Sequence, residues 1–245
     1  MVNGISEKRP LVSVVMPCLN EEEGIGFCIE QIRKVFKDNG IDGEIVICDN
    51  GSTDNSVKIA NKYGARVVHE HIRGYGRAYL KGFANANGEY LFMVDADGTY
   101  DLNELPRFLT KLIDEKYDFV TGSRYLGGFE YRSMPFLHRY IGNPVLTAIL
   151  NCLFMAGYTD VFCGFRGFSR KSYESIKPAS PGMEFNLELA INARLANLRI
   201  AEIPIFLHRR LGISKLRAFR DGWRSLFMMI SLWIRHVSHA SGPAT

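Results

Sequence analysis

The chain is short of several things, and each shortage narrows what it can do. Its 245 residues include only five cysteines (Cys18, Cys28, Cys48, Cys152 and Cys163), scattered and without a Cys-x-x-Cys pair. That argues against a disulfide framework or a thiolate zinc site and favours a reducing compartment. Long apolar runs are missing. The best stretches, Val145–Tyr158 and Leu226–Ile234, fall short of the roughly 18–20 residues a membrane-crossing helix needs. Met1–Pro10 is polar and Leu11–Met16 is too short an apolar run for a secretory signal. Charge excess is absent too: 30 basic against 26 acidic residues leave +4, too balanced for a general nucleic-acid binder. There is no internal repeat or low-complexity tract. What is present, 47% hydrophobic and 23% charged residues, suits one large domain with a substantial core, soluble or held at a membrane surface.

The small net charge is unevenly placed. Between Arg199 and Arg235 eight basic residues face only Glu202 and Asp221, a local +6 that leaves −2 for the rest. A basic C-terminal piece implies either an anionic partner at that end or a solvated helix face.

Hydrophobic patterning predicts alternating strands and helices. Leu11–Met16, Glu44–Cys48, Ala65–His69, Glu89–Val94 and Tyr117–Gly122 read as nearly continuous apolar strands. Between them lie helical segments at Glu22–Lys37, from a Ser52–Asp54 cap to about Tyr63, at Tyr79–Ala86 and at Asp101–Glu115. This alternation predicts an α/β fold with a mostly parallel, Rossmann-like sheet covered on both faces. Ligands of such sheets sit at the carboxyl ends of the strands, so Asn20, Asp49, Asp95, Asp97 and Arg124 should converge on one crevice. Beyond Arg124 the pattern predicts helices at Pro144–Tyr158 and Glu184–Ala196 and strands at Phe165–Ser169 and Arg199–Ile203. In Lys215–Val237, Leu216, Phe219, Trp223, Leu226, Phe227, Ile230, Ile234 and Val237 recur at helical spacing, with Lys215, Arg217, Arg220 and Arg224 available to flank them. Such a helix fits either an interfacial anchor or ordinary packing; two over-apolar helices in one chain favour the membrane surface. The expected organisation is one large domain over 1–212, in two halves near 11–125 and 126–212. An amphipathic interfacial helix over 213–238 and a loose tail over 239–245 follow.

The strongest chemical signal is Asp95-Ala96-Asp97-Gly98-Thr99 at the end of the fourth strand. Two carboxylates two residues apart can hold a hard divalent cation such as Mg²⁺ or Mn²⁺ against a diphosphate, or simply cap the next helix. Gly74-Tyr75-Gly76-Arg77-Ala78-Tyr79 mimics a dinucleotide fingerprint. Its third glycine is a tyrosine and it opens the third βα unit, so the loop is expected to close over a donor nucleotide instead.

Val14-Val15-Met16-Pro17, Asn20-Glu21-Glu22, Asp49-Asn50-Gly51-Ser52-Thr53-Asp54 and Asp95-Ala96-Asp97 resemble a family 2 glycosyltransferase of the GT-A fold. Gly122-Ser123-Arg124-Tyr125 with Gly127-Gly128, Asp160-x-x-x-Gly164-Phe165-Arg166 and Arg210-x-Gly212-x-Ser214-Lys215 narrow the resemblance to the polyprenyl-phosphate (dolichol-phosphate) glycosyltransferases, over about Leu11 to Ile230. The resemblance implies that Pro17, Asn20, Glu22, Asp49 and Gly76 serve the nucleotide. It implies Asp95 and Asp97 for the ribose-phosphate and the metal, with Thr99 standing where the family often has a glutamine ligand. Asn50 departs from the commoner second aspartate of its loop.

On the acceptor side it implies Arg124, Arg139 and Arg210 as phosphate holders, Asn143 beside them, and Lys215 on either phosphate. Asp160, Arg166 and Glu188 are implied near the acceptor or sugar. A lipid phosphate has its second pKa near 6 and is already a nucleophile at neutral pH, so no general base is required. The implied reaction is metal-dependent, inverting transfer of a hexose from a nucleotide diphosphate sugar to a polyprenyl phosphate. The loops at Gly74-Tyr75-Gly76 and Gly182-Met183-Glu184-Phe185 are closer to the UDP-glucose branch, with GDP-mannose as the alternative. A hydroxyl acceptor and a non-catalytic lipid-sugar binding subunit are the rival readings. The implied location is peripheral, at the cytoplasmic face of a membrane, with a membrane subunit or a second copy as a possible partner.

Overall fold

The computed structural model describes residues 9–212 and 218–240. Seven strands form one sheet: β1 (Val12–Cys18), β2 (Gly43–Asp49), β3 (Arg66–His69), β4 (Tyr90–Met93), β5 (Phe119–Ser123), β6 (Arg166–Ser169) and β7 (Ile200–Pro204). Their spatial order is β3-β2-β1-β4-β6-β5-β7. All pairings are parallel except those of β6, which runs antiparallel to both β4 and β5. All seven expected strands are present, displaced by a residue or two at their ends.

Because side chains alternate across a strand, neighbouring residues of β1 serve different cores. Val14 and Met16 pack with Phe92, Phe108 and Phe165 under α1 (Ile25–Asp38). Val15 packs with Tyr79, Phe83 and Phe185 on the other face. There it meets α3 (Tyr75–Asn85) and α8 (Phe185–Leu195). The remaining helices of the first half are α2 (Ser56–Lys62) and α4 (Leu105–Ile113), the latter introduced by a 3₁₀ turn at Leu102–Glu104. Asp54, expected to cap α2, accepts from Ser56 N at 2.9 Å and from Ser56 Oγ at 2.6 Å, so the helix starts two residues beyond it.

The second half contains two short helices that periodicity could not show, α5 (Arg124–Gly127) and α7 (Arg170–Ile176). A π-helical turn at His138–Gly142 leads into α6 (Asn143–Phe154). A third cluster joins α6, α8 and α9 (Ala218–Ala240) through Leu150, Leu187, Ile191 and Met229. The apolar stripe of α9 divides. Leu226 turns towards this cluster, whereas Trp223, Phe227, Ile230 and Ile234 are exposed. Phe136, Leu137, Tyr140, Ile141 and Val145, on and just before α6, are exposed as well. Among the described residues no helix is long and apolar enough to cross a membrane. Leu216, Lys215 and Arg217 lie outside the described residues.

Candidate functional site

The carboxyl ends of β1, β4 and β5 open into a cleft of about 1190 Å³. The sheet bank contributes Pro17 from β1, Asp95, Asp97 and Thr99 from the segment after β4, and Arg124 after β5. The facing bank contributes Asn143 of α6 and Arg210 from the segment beyond β7. Seven of the expected site residues therefore meet in one place.

The two aspartates differ in their surroundings. Asp95 Oδ1 accepts from Tyr75 Oη at 2.9 Å and Tyr79 Oη at 3.4 Å. Burial, and then the neighbouring Asp97 charge, push its pKa from the ordinary 3.8 up to about 6. Asp97 Oδ1 accepts from Thr99 N at 3.1 Å and Thr99 Oγ1 at 2.7 Å, while Oδ2 lies 3.3 Å from Arg210 Nη2. The same Arg210 nitrogen donates to Glu21 Oε1 at 3.0 Å. Backbone pairing holds this contact in place: Leu211 N donates to Asp97 O at 2.8 Å and His208 N to Thr99 O at 2.9 Å. The arginine-bearing segment is thus stitched to the aspartate-bearing one.

Arg124 is buried against Asp160, donating from Nε to Oδ2 at 2.6 Å and from Nη2 to Oδ1 at 2.7 Å. Burial opposes its charge, but the paired carboxylate outweighs that and raises its pKa well above the ordinary value. Asp160 orients the guanidinium and leaves the Nη1 edge for a ligand.

Several expected site residues stand elsewhere. Glu22 turns from the cleft to accept from Asn55 N and Nδ2, both at 3.0 Å, and its neighbour Glu21 takes the position beside Arg210. Asn20, at φ 52°, takes Thr53 N at 2.7 Å on Oδ1 and so braces the Ser52–Asp54 loop. Asp49 accepts from Ser52 N, Gly51 N and His69 Nδ1 next to cleft-lining Asn50. Burial works against its charge, yet these bonds, those of Ser52 first, hold its carboxyl below the usual range.

Gly76 is tightly packed, since a Cβ there would fall 2.1 Å from Ser180 O. Arg139 lays its guanidinium over Phe129 at 4.2 Å and Tyr140 at 5.1 Å, away from the cleft lining. Arg166 is wholly buried, donating to the carbonyls of Cys163 at 3.0 Å, Val161 at 2.6 Å and Asn186 at 2.5 Å. Glu188 Oε2 accepts from Ala179 N at 2.9 Å and Ser180 N at 2.6 Å and so supports the loop before α8. Lys215 lies outside the described residues. Tyr75, Asn186 and Arg224 also line the cleft and were missed. Only the Gly74-Tyr75-Gly76 loop and the basic run around Arg224 hinted at any of them.

The model of the family "Glycosyl transferase family 2" matches residues 13–177, two thirds of the chain and every strand of the sheet but β1's first residue and β7. The chain belongs to glycosyltransferase family 2. Like other members it is a glycosyltransferase, so the non-catalytic reading is set aside. A relative in Haloferax volcanii, the low-salt glycan biosynthesis hexosyltransferase Agl6, is 43% identical over 232 residues, 94% of this chain. The chain spans only 56% of that relative's length. A dolichyl-phosphate hexose transferase of the same organism is 34% identical over 212 residues, covering 86% of this chain and 89% of the relative. Among solved structures, glucosyl-3-phosphoglycerate synthase from Mycobacterium tuberculosis in complex with Mn²⁺, uridine diphosphate and phosphoglyceric acid superposes with a TM-score of 0.71 at 24% identity. The match covers 91% of this chain and 78% of that one. That likeness establishes the GT-A fold.

Proposed function

We propose that this glycosyltransferase moves one hexose from a nucleotide diphosphate sugar to a polyprenyl phosphate, working at the surface of a membrane. The observation that carries the reading is a single cleft holding the Asp95/Asp97 pair together with Arg124 and Arg210, beside an exposed apolar face on α6 and α9. An acidic pair serves a metal-bridged diphosphate; arginine forks serve a second phosphate that must approach the first.

Asp97, with Asp95 behind it, fits a hard divalent ion. Both are oxygen donors, and their mutual repulsion already raises the proton affinity of Asp95. Mg²⁺ or Mn²⁺ bound there would neutralise charge on the departing diphosphate. Pro17 and the Asn50 loop would border the nucleotide. Arg124, preset by Asp160, and Arg210 would hold the acceptor phosphate so that its oxygen lies in line with the anomeric carbon. The oxygen–carbon bond then forms as the bond to the diphosphate breaks, inverting the centre, and the electron pair leaves with the nucleoside diphosphate. The phosphate is ionised, so no side chain needs to remove a proton.

The relative acting on dolichyl phosphate at 34% identity supports a lipid phosphate over a sugar hydroxyl. Trp223, Phe227 and Ile230, with Arg220 and Arg224 nearby, suit an interfacial helix facing anionic lipid. We place the protein at the cytoplasmic face, with UDP-glucose as donor and GDP-mannose as the alternative.

A transfer assay with a short polyprenyl phosphate, Mg²⁺ or Mn²⁺, and either UDP-glucose or GDP-mannose tests this. Lipid-linked sugar from one donor is the expected result and settles the nucleotide. Transfer only to a hydroxyl acceptor would refute the reading.

A further inference from the structure

Asp160 and Glu188, the residues expected to touch the donor sugar, are committed to Arg124 and to the loop before α8. The floor of the cleft offers a different group. Asn186, in the first turn of α8, lines the cleft; it is 2% exposed, and its Oδ1 has no hydrogen-bond partner. The Asn186 side chain lies beside the Tyr75 hydroxyl. Tyr75 Oη in turn donates to Asp95 Oδ1 at 2.9 Å. Asn186, Tyr75 and Asp95 thus follow one another along the cleft, and the amide oxygen of Asn186 is the end left over.

Buried acceptors without partners are rare because they lose water and gain nothing. This one cannot easily move to find a partner. Phe185, its neighbour, stacks on Tyr79 at 5.7 Å with the rings 2° from parallel, and the Gly76 backbone is pressed against the 180–182 loop. A phosphate oxygen is itself an acceptor and cannot satisfy it. A sugar hydroxyl can. Tyr75 joins this part of the cleft to Asp95, one of the two aspartates that would serve the diphosphate, so a sugar attached to that diphosphate would lie within reach of Asn186.

We infer that Asn186 Oδ1 accepts a hydrogen bond from a hydroxyl of the donor hexose, which makes Asn186 a specificity-determining residue. This rests on the glycosyl-transfer reading above. It predicts a split between sugar and nucleotide that a purely structural asparagine would not give.

Titration calorimetry with Mn²⁺ on the wild type, Asn186→Leu and Asn186→Ala, using UDP, UDP-glucose, GDP and GDP-mannose, measures that split. In both variants the affinity for the free nucleotide should stay within about twofold, while that for the preferred nucleotide hexose falls about tenfold, the worth of one hydrogen bond in a dry site. The Asn186→Leu protein should melt at the same temperature as the wild type or higher, because an unsatisfied polar atom has been replaced by an apolar group of similar size. A parallel loss for nucleotide and nucleotide sugar would overturn the inference. So would full nucleotide-hexose affinity with a melting point several degrees lower. Wild-type protein that transfers hexose alongside an unaffected Asn186→Leu variant would refute this inference alone. Wild-type protein that binds no nucleotide hexose would refute the transferase reading beneath it.

Discussion

Removing Arg124 should reveal how much stability the cleft invests in a preset guanidinium. The side chain is 6% exposed, its partner Asp160 0%, and two charge-assisted bonds of 2.6 and 2.7 Å join them. In Arg124→Ala both bonds vanish, and a fully buried carboxylate is left with backbone donors alone, Phe162 N at 3.2 Å and its own former partner's N at 3.1 Å. Stranding one charge of such a pair costs about 3–5 kcal/mol. With a urea slope of about 3 kcal/mol/M, the unfolding midpoint should drop by about 1–1.7 M. The double variant Arg124→Met with Asp160→Leu should regain most of that loss, since no charge is stranded, yet still fail to transfer. Urea unfolding followed by far-UV circular dichroism at pH 7, beside the transfer assay, reads both effects. A midpoint shift in Arg124→Ala below about 0.3 M would refute the reasoning, because the pair would then not be the desolvated contact described.

Other outcomes follow from the same geometry. Asp97→Ala should abolish transfer and Mn²⁺ binding; unchanged turnover would remove Asp97 from the metal site. Arg210→Ala should raise the KM for the lipid phosphate far more than it weakens nucleotide binding, and equal losses would move Arg210 to the donor side. Gly76→Ala, which drives a methyl group into Ser180 O, should destabilise the fold by about 2–4 kcal/mol, seen as a lower melting point with the same circular dichroism spectrum. Asp95 holds its proton more tightly folded than unfolded. Its contribution to stability is therefore complete below about pH 4 and lost as pH rises through about 6. Without metal the protein should gain up to about 3 kcal/mol between pH 7 and 4 from this group; Mn²⁺ should cancel the trend by favouring the ionised form, and a melting temperature insensitive to Mn²⁺ at pH 7 would contradict it.

The sheet was legible because each strand is a short, nearly unbroken apolar run, the mark of burial on both faces. Position after a strand was enough to bring Asp95, Asp97 and Arg124 to the cleft lining, though not Asn20 and Asp49, which the same reasoning named. It could not say where a side chain turns. Glu21 and Glu22 are adjacent and chemically equal, and only the Asn55 contact decides which leaves the site. Arg166 and Glu188 carry charge that the resemblance assigns to function, but each spends much of it on backbone groups of irregular segments that have no periodicity to display. Asn186 was hidden for another reason: it is one of four polar residues of α8, with Glu188, Asn192 and Arg194, and nothing in its spacing marks it out. The direction of β6 was also beyond reach, because a four-residue strand carries no sign of its orientation.

That antiparallel strand bears on how the polypeptide assembles. During synthesis β1 to β4 can pair as soon as they emerge, but the free edge of β4 waits for β6, which follows β5, α5 and α6 in the chain. Until then an apolar strand offers open backbone groups to any passing edge, the usual route to misassembly. The delay leaves Asp95 and Asp97 without the Arg210 segment opposite them, so a half-made chain would carry an acidic loop and a sticky border together. Protection of the nascent protein by a chaperone matters most over that interval; closure of β6 seals the border, and the acidic loop waits longer, for the Arg210 segment beyond β7.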